Sequence, residues 1–382
     1  VMNITDVGHM TDDAEGGEHG EDRMAVAGRR IAEAKKAGTL PAGVEVNPAD
    51  PYAIAGFYAD RFIDDAARLG LKLVEDARAR PELMPRATFH VPGMIEVIRA
   101  LIDRGHAYVV GDHGARAVYF RVKSFPVYGR LSGNTLDDLR AGEGGRVSAE
   151  NQATKEHPAD FLLWKEDPRH IMKWESPWGA GYPGWHIECT VMSARSLLGE
   201  GAFRELLGRH QGPAAIIDLH SGGEDNIFPH HECEIAQSCA AFGKDPASGT
   251  FARMWFHPRF LLVEGTKMSK SKGNFFTARD LFAAPPSGRG VEPASLRLEL
   301  IKTHYRSNAN FTEQGIRDSQ RTVDRWRRFL DEAKGAPASS GNSTAHNRAV
   351  RDFADAMHDD LNVAGAIGAI NSAIFIKPYY FC

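Results

Sequence analysis

A chain of 382 residues with 42% hydrophobic and 25% charged side chains has the length and composition of two or three globular domains, which excludes a fibre or a disordered tail. Its 46 Lys and Arg stand against 50 Asp and Glu, a formal net charge of -4, so any RNA contact must come from local patches rather than from a polycationic surface. Four irregularly spaced cysteines, Cys189, Cys233, Cys239 and Cys382, make no disulfide framework and favour a reducing, cytoplasmic compartment. No apolar run approaches the roughly 18 residues that a bilayer requires, so no membrane role is expected.

The opening Val1-Met2-Asn3-Ile4-Thr5-Asp6 lacks the charged start and apolar core of a signal peptide. Beginning on Val1 and reading as the end of a strand, it has the look of a fragment. Residues 12 to 22 carry six acidic side chains and no Lys or Arg, the pattern of a solvated loop. Helical periodicity follows from Arg23 to Lys36, breaks at Gly38 and Pro41, and resumes from Asp50 to Leu73, where Asp50-Pro51 is a helix start. Another helix is predicted over Val91 to Arg104, then paired strands at Ala107 to Val110 and Ala117 to Val122. Residues 133 to 158 read as a surface excursion ending at Phe161-Leu162-Leu163-Trp164.

Ile216-Ile217-Asp218-Leu219 is a short buried strand candidate. The loop His220-Ser221-Gly222-Gly223-Glu224-Asp225 and a helix opened by Pro229 follow it. Strand, glycine loop and helix in that order line the ligand crevice of a parallel sheet. A strand at Phe260 to Val263 leads into the basic run Lys267 to Asn274, and from Pro293 the chain reads as helices. The helix beginning near Thr312 places Ile316, Val323, Trp326 and Leu330 on one face and Arg317, Arg321, Arg325 and Arg328 on the other, with a linker at 335–347.

His230 and Glu234 are four apart, one helical turn, and Cys189 would add a thiolate to make a donor set that suits zinc. Alone, such an i,i+4 pair is more often a surface hydrogen bond and a single cysteine more often a small core residue. His186, His231 and Cys233 read as packing around these groups, and Cys239 as core. The three lysines of Lys267-Met268-Ser269-Lys270-Ser271-Lys272 are point charges on flexible stems able to follow charge onto a leaving pyrophosphate.

Lys-Met-Ser-Lys-Ser is the signature of class I aminoacyl-tRNA synthetases. With Asn3 to Asp6, Tyr128 to Ser132, Ser176 to Gly181, Gly184 to Cys189, Phe228 to Ser238 and His304 to Ser307 in order, the chain resembles cysteinyl-tRNA synthetases over nearly its whole length. The resemblance implies an α/β fold: a Rossmann-type parallel-sheet catalytic domain lacking its first part, an inserted α/β connective region and a C-terminal helical region. The implied boundaries are 1–45 for the remainder of the first Rossmann half, 46–175 for the connective region, 176–285 for the second half, 286–311 for a stem-contact segment and 312–382 for a partial helical tRNA-binding domain.

It further implies one Zn2+ held by Cys189, His230, Glu234 and another cysteine upstream of Val1. Thr5 and Trp185 would border the amino-acid pocket, Gly223, Asp225 and Lys270 the nucleotide, and Lys267 and Lys270 would be catalytic. The implied reaction consumes L-cysteine and ATP with Mg2+, forms cysteinyl-adenylate and pyrophosphate, and charges tRNA(Cys). A zinc-bound substrate thiolate would separate cysteine from serine, which shape alone distinguishes weakly. The family expectation is a monomer.

Two departures stand out. The His-x-Gly-His loop of the family is absent, His9 being a lone histidine, and the chain leaves the family pattern from Val363 to the apolar end at Cys382. These 382 residues are therefore expected to be inactive in cysteine-dependent pyrophosphate exchange. The alternatives are the cysteine ligase of mycothiol biosynthesis, against which Glu234 and His304-Tyr305-Arg306-Ser307 weigh, and a non-catalytic remnant.

Overall fold

A computed structural model describes residues 1–12, 19–40, 43–134, 155–208, 216–243, 251–268, 274–285, 288–334 and 344–375. These form two compact units, residues 1–64 with 72–256 and residues 65–71 with 257–382.

The first unit opens with residues 2–4 running alongside 83–87, Ile4 bridging Arg86 in parallel. An antiparallel hairpin follows, β1 (Met10–Asp12) with β2 (His19–Asp22), so the ends of the acidic stretch are strand rather than solvated loop. Residues 13–18 lie outside the described residues. Asp22 is withdrawn from solvent because its carboxylate accepts from Met24 N at 2.7 Å and caps α1 (Arg23–Lys36). The predicted helix from Asp50 to Leu73 divides at Gly70, which adopts φ 71°, into α2 (Pro51–Arg68) and α3 (Lys72–Ala79). Ile31, Val46 and Ile54 bury the contact between α1 and the start of α2.

Helix α4 (Ala87–Asp103) buries Val91, Met94, Val97, Ile98 and Leu101 at helical spacing in the main core. Its N-terminus is capped from outside by Asp6, whose Oδ1 accepts from Thr88 N at 2.8 Å. Strands β3 (Ala107–Val110), β4 (Ala117–Phe120), β5 (Phe161–Glu166) and β6 (Gly181–Pro183) make an antiparallel sheet in chain order. Gly184 then turns the chain into α5 (Trp185–Gly208), interrupted at Gly199; a Cβ on Gly184 would strike the Leu162 carbonyl. Strand β7 (Ile217–Ser221) leads through the glycine loop to α6 (Glu232–Ala241) and pairs in parallel with β8 (Ala252–Phe256).

In the second unit β9 (Leu261–Val263) pairs antiparallel with β10 (Thr266–Lys267) and parallel with β11 (Ala309–Phe311), a strand that the helical reading of this region missed. Around them lie α7 (Ala278–Phe282), α8 (Pro293–Ile301) and α9 (Glu313–Lys334), and the helices α10 (Thr344–His358) and α11 (Val363–Phe375) follow. Along α9 Val323 is buried but Leu330 is 57% exposed. Arg325 leaves the expected basic stripe to donate to Asn371 Oδ1 at 2.8 Å, where Trp326 also donates at 2.9 Å. Among the described residues, no helix is long and apolar enough to cross a membrane.

Candidate metal centre and active site

Helix α6 does not begin at Pro229. Phe228 is extended (φ -137°, ψ 133°), as the residue before a proline prefers, and a wide turn over Ile227–His231 precedes the helix at Glu232. The spacing of four still brings His230 Nε2 to 2.8 Å from Glu234 Oε1. Cys189, on the second turn of α5, sets its Sγ 3.6 Å from the same Nε2. The three donor atoms lie within 4.8 Å of one another and all three residues are buried.

The opposite oxygen of Glu234 stands 2.9 Å from Nε2 of His220, the residue at the end of β7 that sequence reasoning left out of the site. Neither oxygen has a partner in hydrogen-bond alignment, although Glu234 is wholly buried. A buried carboxylate in that condition is costly unless a cation completes it. Burial alone would raise the Glu234 carboxyl, but the His230 and His220 imidazoles outweigh it and hold it well below the usual carboxylate range. Burial pushes the Cys189 thiol well up, and the nearby Glu234 and Glu188 carboxylates add to this.

Burial also holds His186 well below the ordinary imidazole value, with His230 contributing. The Nδ1 atoms of His186 and His230 stand 2.8 Å apart, so with a metal on its Nε2, His230 would donate through Nδ1 to a neutral His186. Thiolate, imidazole and carboxylate together are a donor set that fits zinc. The indole of Trp185 lies 4.1 Å from the His230 ring between centroids, and Asn3 Nδ2 donates toward Cys189 Sγ at 3.6 Å. A cavity of about 550 Å3 opens beside the cluster, lined by Asn3, Cys189, Met192, Ile217, Leu219 and His220.

The residues around the donors have evident tasks. Buried Glu232 accepts from the backbone of Leu131 at 3.1 Å and Ser132 at 2.9 Å, and Tyr128 Oη contacts Cys233 Sγ at 3.4 Å. The segment Tyr128 to Ser132 thus braces the start of α6. His231 packs between His220 and Trp255, ring centroids 4.7 and 4.9 Å away. His9 pairs with Glu188, the residue before Cys189, both buried. Cys239 is core.

The remaining sequence candidates are more open. Thr5 and Asp225 are exposed, and Gly223 precedes the single turn Glu224–Asn226. In the second unit Lys267 is exposed on β10, its Nζ 5.0 Å from the Phe260 ring centre. Asn274 donates to Thr266 Oγ1 at 3.0 Å and to Lys267 O at 3.3 Å, tying the two stems of the basic loop. Residues 269–273, including Lys270, lie outside the described residues. Asp360 receives Tyr305 Oη at 2.6 Å and Arg306 Nε at 2.5 Å, engaging the segment His304 to Ser307.

A strand–glycine loop–helix unit beside a buried thiol, imidazole and carboxylate cluster is the arrangement by which an α/β sheet forms a ligand crevice. The family of tRNA synthetases class I (C) catalytic domain matches residues 53–321, and the chain belongs to that family. Its relatives include cysteine–tRNA ligases of Thermus thermophilus, 40% identical over 97% of this chain and 66% of that protein, and of Chlorobium chlorochromatii, 37% identical over 99% and 68%. The chain thus spans about two thirds of the length of the curated relatives it matches. Mycobacterium tuberculosis methionyl-tRNA synthetase bound by methionyl-adenylate has a TM-score of 0.53 at 14% identity, over 100% of this chain and 83% of that one. A second structure of that enzyme with methionyl-adenylate has 0.50 at 13%, over 98% and 82%. These likenesses show the class I synthetase catalytic fold.

Proposed function

We propose that the chain carries the cysteine-activating part of a cysteine–tRNA ligase, which converts L-cysteine and ATP to cysteinyl-adenylate and pyrophosphate and passes the cysteinyl group to tRNA(Cys). The convergence of Cys189, His230 and Glu234 on one point supports this reading. These three would hold Zn2+, whose chemistry when bound is to select a thiolate over a hydroxyl. Trp185, its ring against that of His230, would wall the amino-acid pocket with Thr5. Gly223 and Asp225 would border the nucleotide, and Lys267 and Lys270 would neutralise charge on the leaving pyrophosphate with Mg2+. The stem-contact segment 286–311 and the helical region 312–382 would meet the tRNA, in a cytoplasmic monomer.

Cobalt(II) titration tests this on the 382-residue chain. A thiolate-to-metal absorption is expected, lost in Cys189→Ser and perturbed by L-cysteine but not by L-serine. Absence of the band, or equal response to serine, would sink the reading. With no His-x-Gly-His loop in its sequence, the same chain is expected to show no cysteine-dependent pyrophosphate exchange, and clear exchange would overturn that expectation.

A further inference from the structure

The three donors come from two helical segments, and the donors themselves do not set how those segments are registered. One turn beyond Glu234 on α6, Gln237 is wholly buried. Its Nε2 donates to the His186 carbonyl and, at 2.8 Å, to Thr190 Oγ1. Ser238, next on α6, meets the same Thr190 hydroxyl at 2.7 Å. A backbone carbonyl only accepts, so the amide is oriented unambiguously: turned over, its oxygen would face another oxygen.

His186 and Thr190, four apart, share one face of α5 and bracket Cys189 along the helix, three residues before it and one after. The two donations therefore hold the helix on both sides of the thiol. Gln237 Oε1 is buried without a hydrogen-bond partner, so the amide keeps this position at the cost of an unpaired acceptor. A residue serving only to fill space would be better replaced by an apolar side chain of similar volume.

We infer that Gln237 is a positioning residue that fixes the register of α5 on α6 so that Cys189 Sγ meets His230 and Glu234. The inference rests on the metal reading proposed above and assigns Gln237 no contact with metal or substrate.

The test is Gln237→Met in the 382-residue chain, which conserves volume and removes both donations. The variant is expected to keep its far-UV circular dichroism, to bind cobalt(II) about 10–100-fold more weakly, as supporting residues around metal ligands do, and to lose thiolate-to-metal absorption. A role confined to stability would lower the unfolding midpoint while leaving the folded variant's cobalt affinity and spectrum unchanged, and that result overturns the inference. If Gln237→Met fails to fold, Gln237→Asn, which keeps the amide but is one methylene short, is read by the same criteria.

Crystal structures of the metal-free wild type and variant read the register directly. A Cys189 Sγ to His230 Nε2 separation beyond the 3.6 Å seen here is expected in the variant, and no change overturns the inference. A wild-type chain giving no thiolate-to-cobalt absorption would sink the metal reading alone, and the crystallographic comparison would then decide on Gln237.

Discussion

Asp6 shows how one side chain ties local structure to the site. It is 4% exposed and accepts from three donors: Thr88 N at 2.8 Å, Thr88 Oγ1 at 3.0 Å and Arg86 Nε at 2.7 Å. It thus caps α4 and, from the other direction, anchors the segment whose Asn3 approaches Cys189. Asp6→Ala removes the cap and leaves Arg86 without its partner, so a loss of about 3 kcal/mol in urea unfolding is expected; a change within about 0.5 kcal/mol would show that water replaces the carboxylate. The sequence offered Asn3 to Asp6 only as a matching segment. Nothing local marks Asp6 as a cap, because Thr88 is 82 positions away. A still longer separation, 179 positions, hid the pairing of His9 with Glu188. His230 and Glu234 were legible from spacing; Cys189, 41 residues before His230, could be offered as a third donor on chemistry alone and was assigned only through the family resemblance.

At the scale of elements, local signals served where the partners are local. Helix α1 runs from Arg23 to Lys36 as its period and breakers predict, and β3 spans its predicted residues, while β4 is buried at every position and stops at Phe120, two residues short of the predicted end. Strand β11 was missed because three residues, Ala309 to Phe311, become a strand only by pairing with β9. Strand β5 has a similarly non-local dependence. Its Glu166 accepts from Arg116 Nε at 2.9 Å and Nη2 at 3.2 Å, and from the backbone of Gly114 and Arg116. Gly179, at φ 99°, leaves room for that carboxylate, since a Cβ there would land on it.

The Arg116 guanidinium first, then those backbone donors, bring the Glu166 pKa down to about 2 from an ordinary 4.5. A carboxylate depressed by folding contributes stability that is complete above its unfolded pKa and disappears as pH falls through the folded one. Glu166→Gln is therefore expected to be less stable than wild type at pH 7, with the difference shrinking between about pH 4.5 and 2 and gone below. Parallel stability curves across that window would show that the pair contributes nothing linked to pH.

For the whole molecule, the net charge of -4 leaves RNA recognition to local cations, and many of these already face carboxylates. Arg317 stands 3.8 Å from Glu313, Arg321 3.0 Å from Asp318, and Arg327 is paired with Glu292. Exposed pairs of this kind hold together weakly, about 0–1 kcal/mol each, so a phosphate can take the cation from its acid. Arg306 is the informative case because Asp360 binds it at 2.5 Å while Tyr305 shares the same carboxylate. Asp360→Asn retains an acceptor for Tyr305 but removes the charge that competes with phosphate for Arg306. If His304 to Ser307 lies on the tRNA surface, this variant binds a tRNA(Cys) transcript more tightly. Its affinity also falls more steeply with salt, by up to about 0.9 in the log–log slope for one added phosphate contact. Arg306→Ala shifts both quantities the opposite way. Equal affinities and slopes for wild type and both variants, measured from low to physiological salt, would remove this segment from the tRNA surface and leave Arg306 and Asp360 as a tie within the second unit.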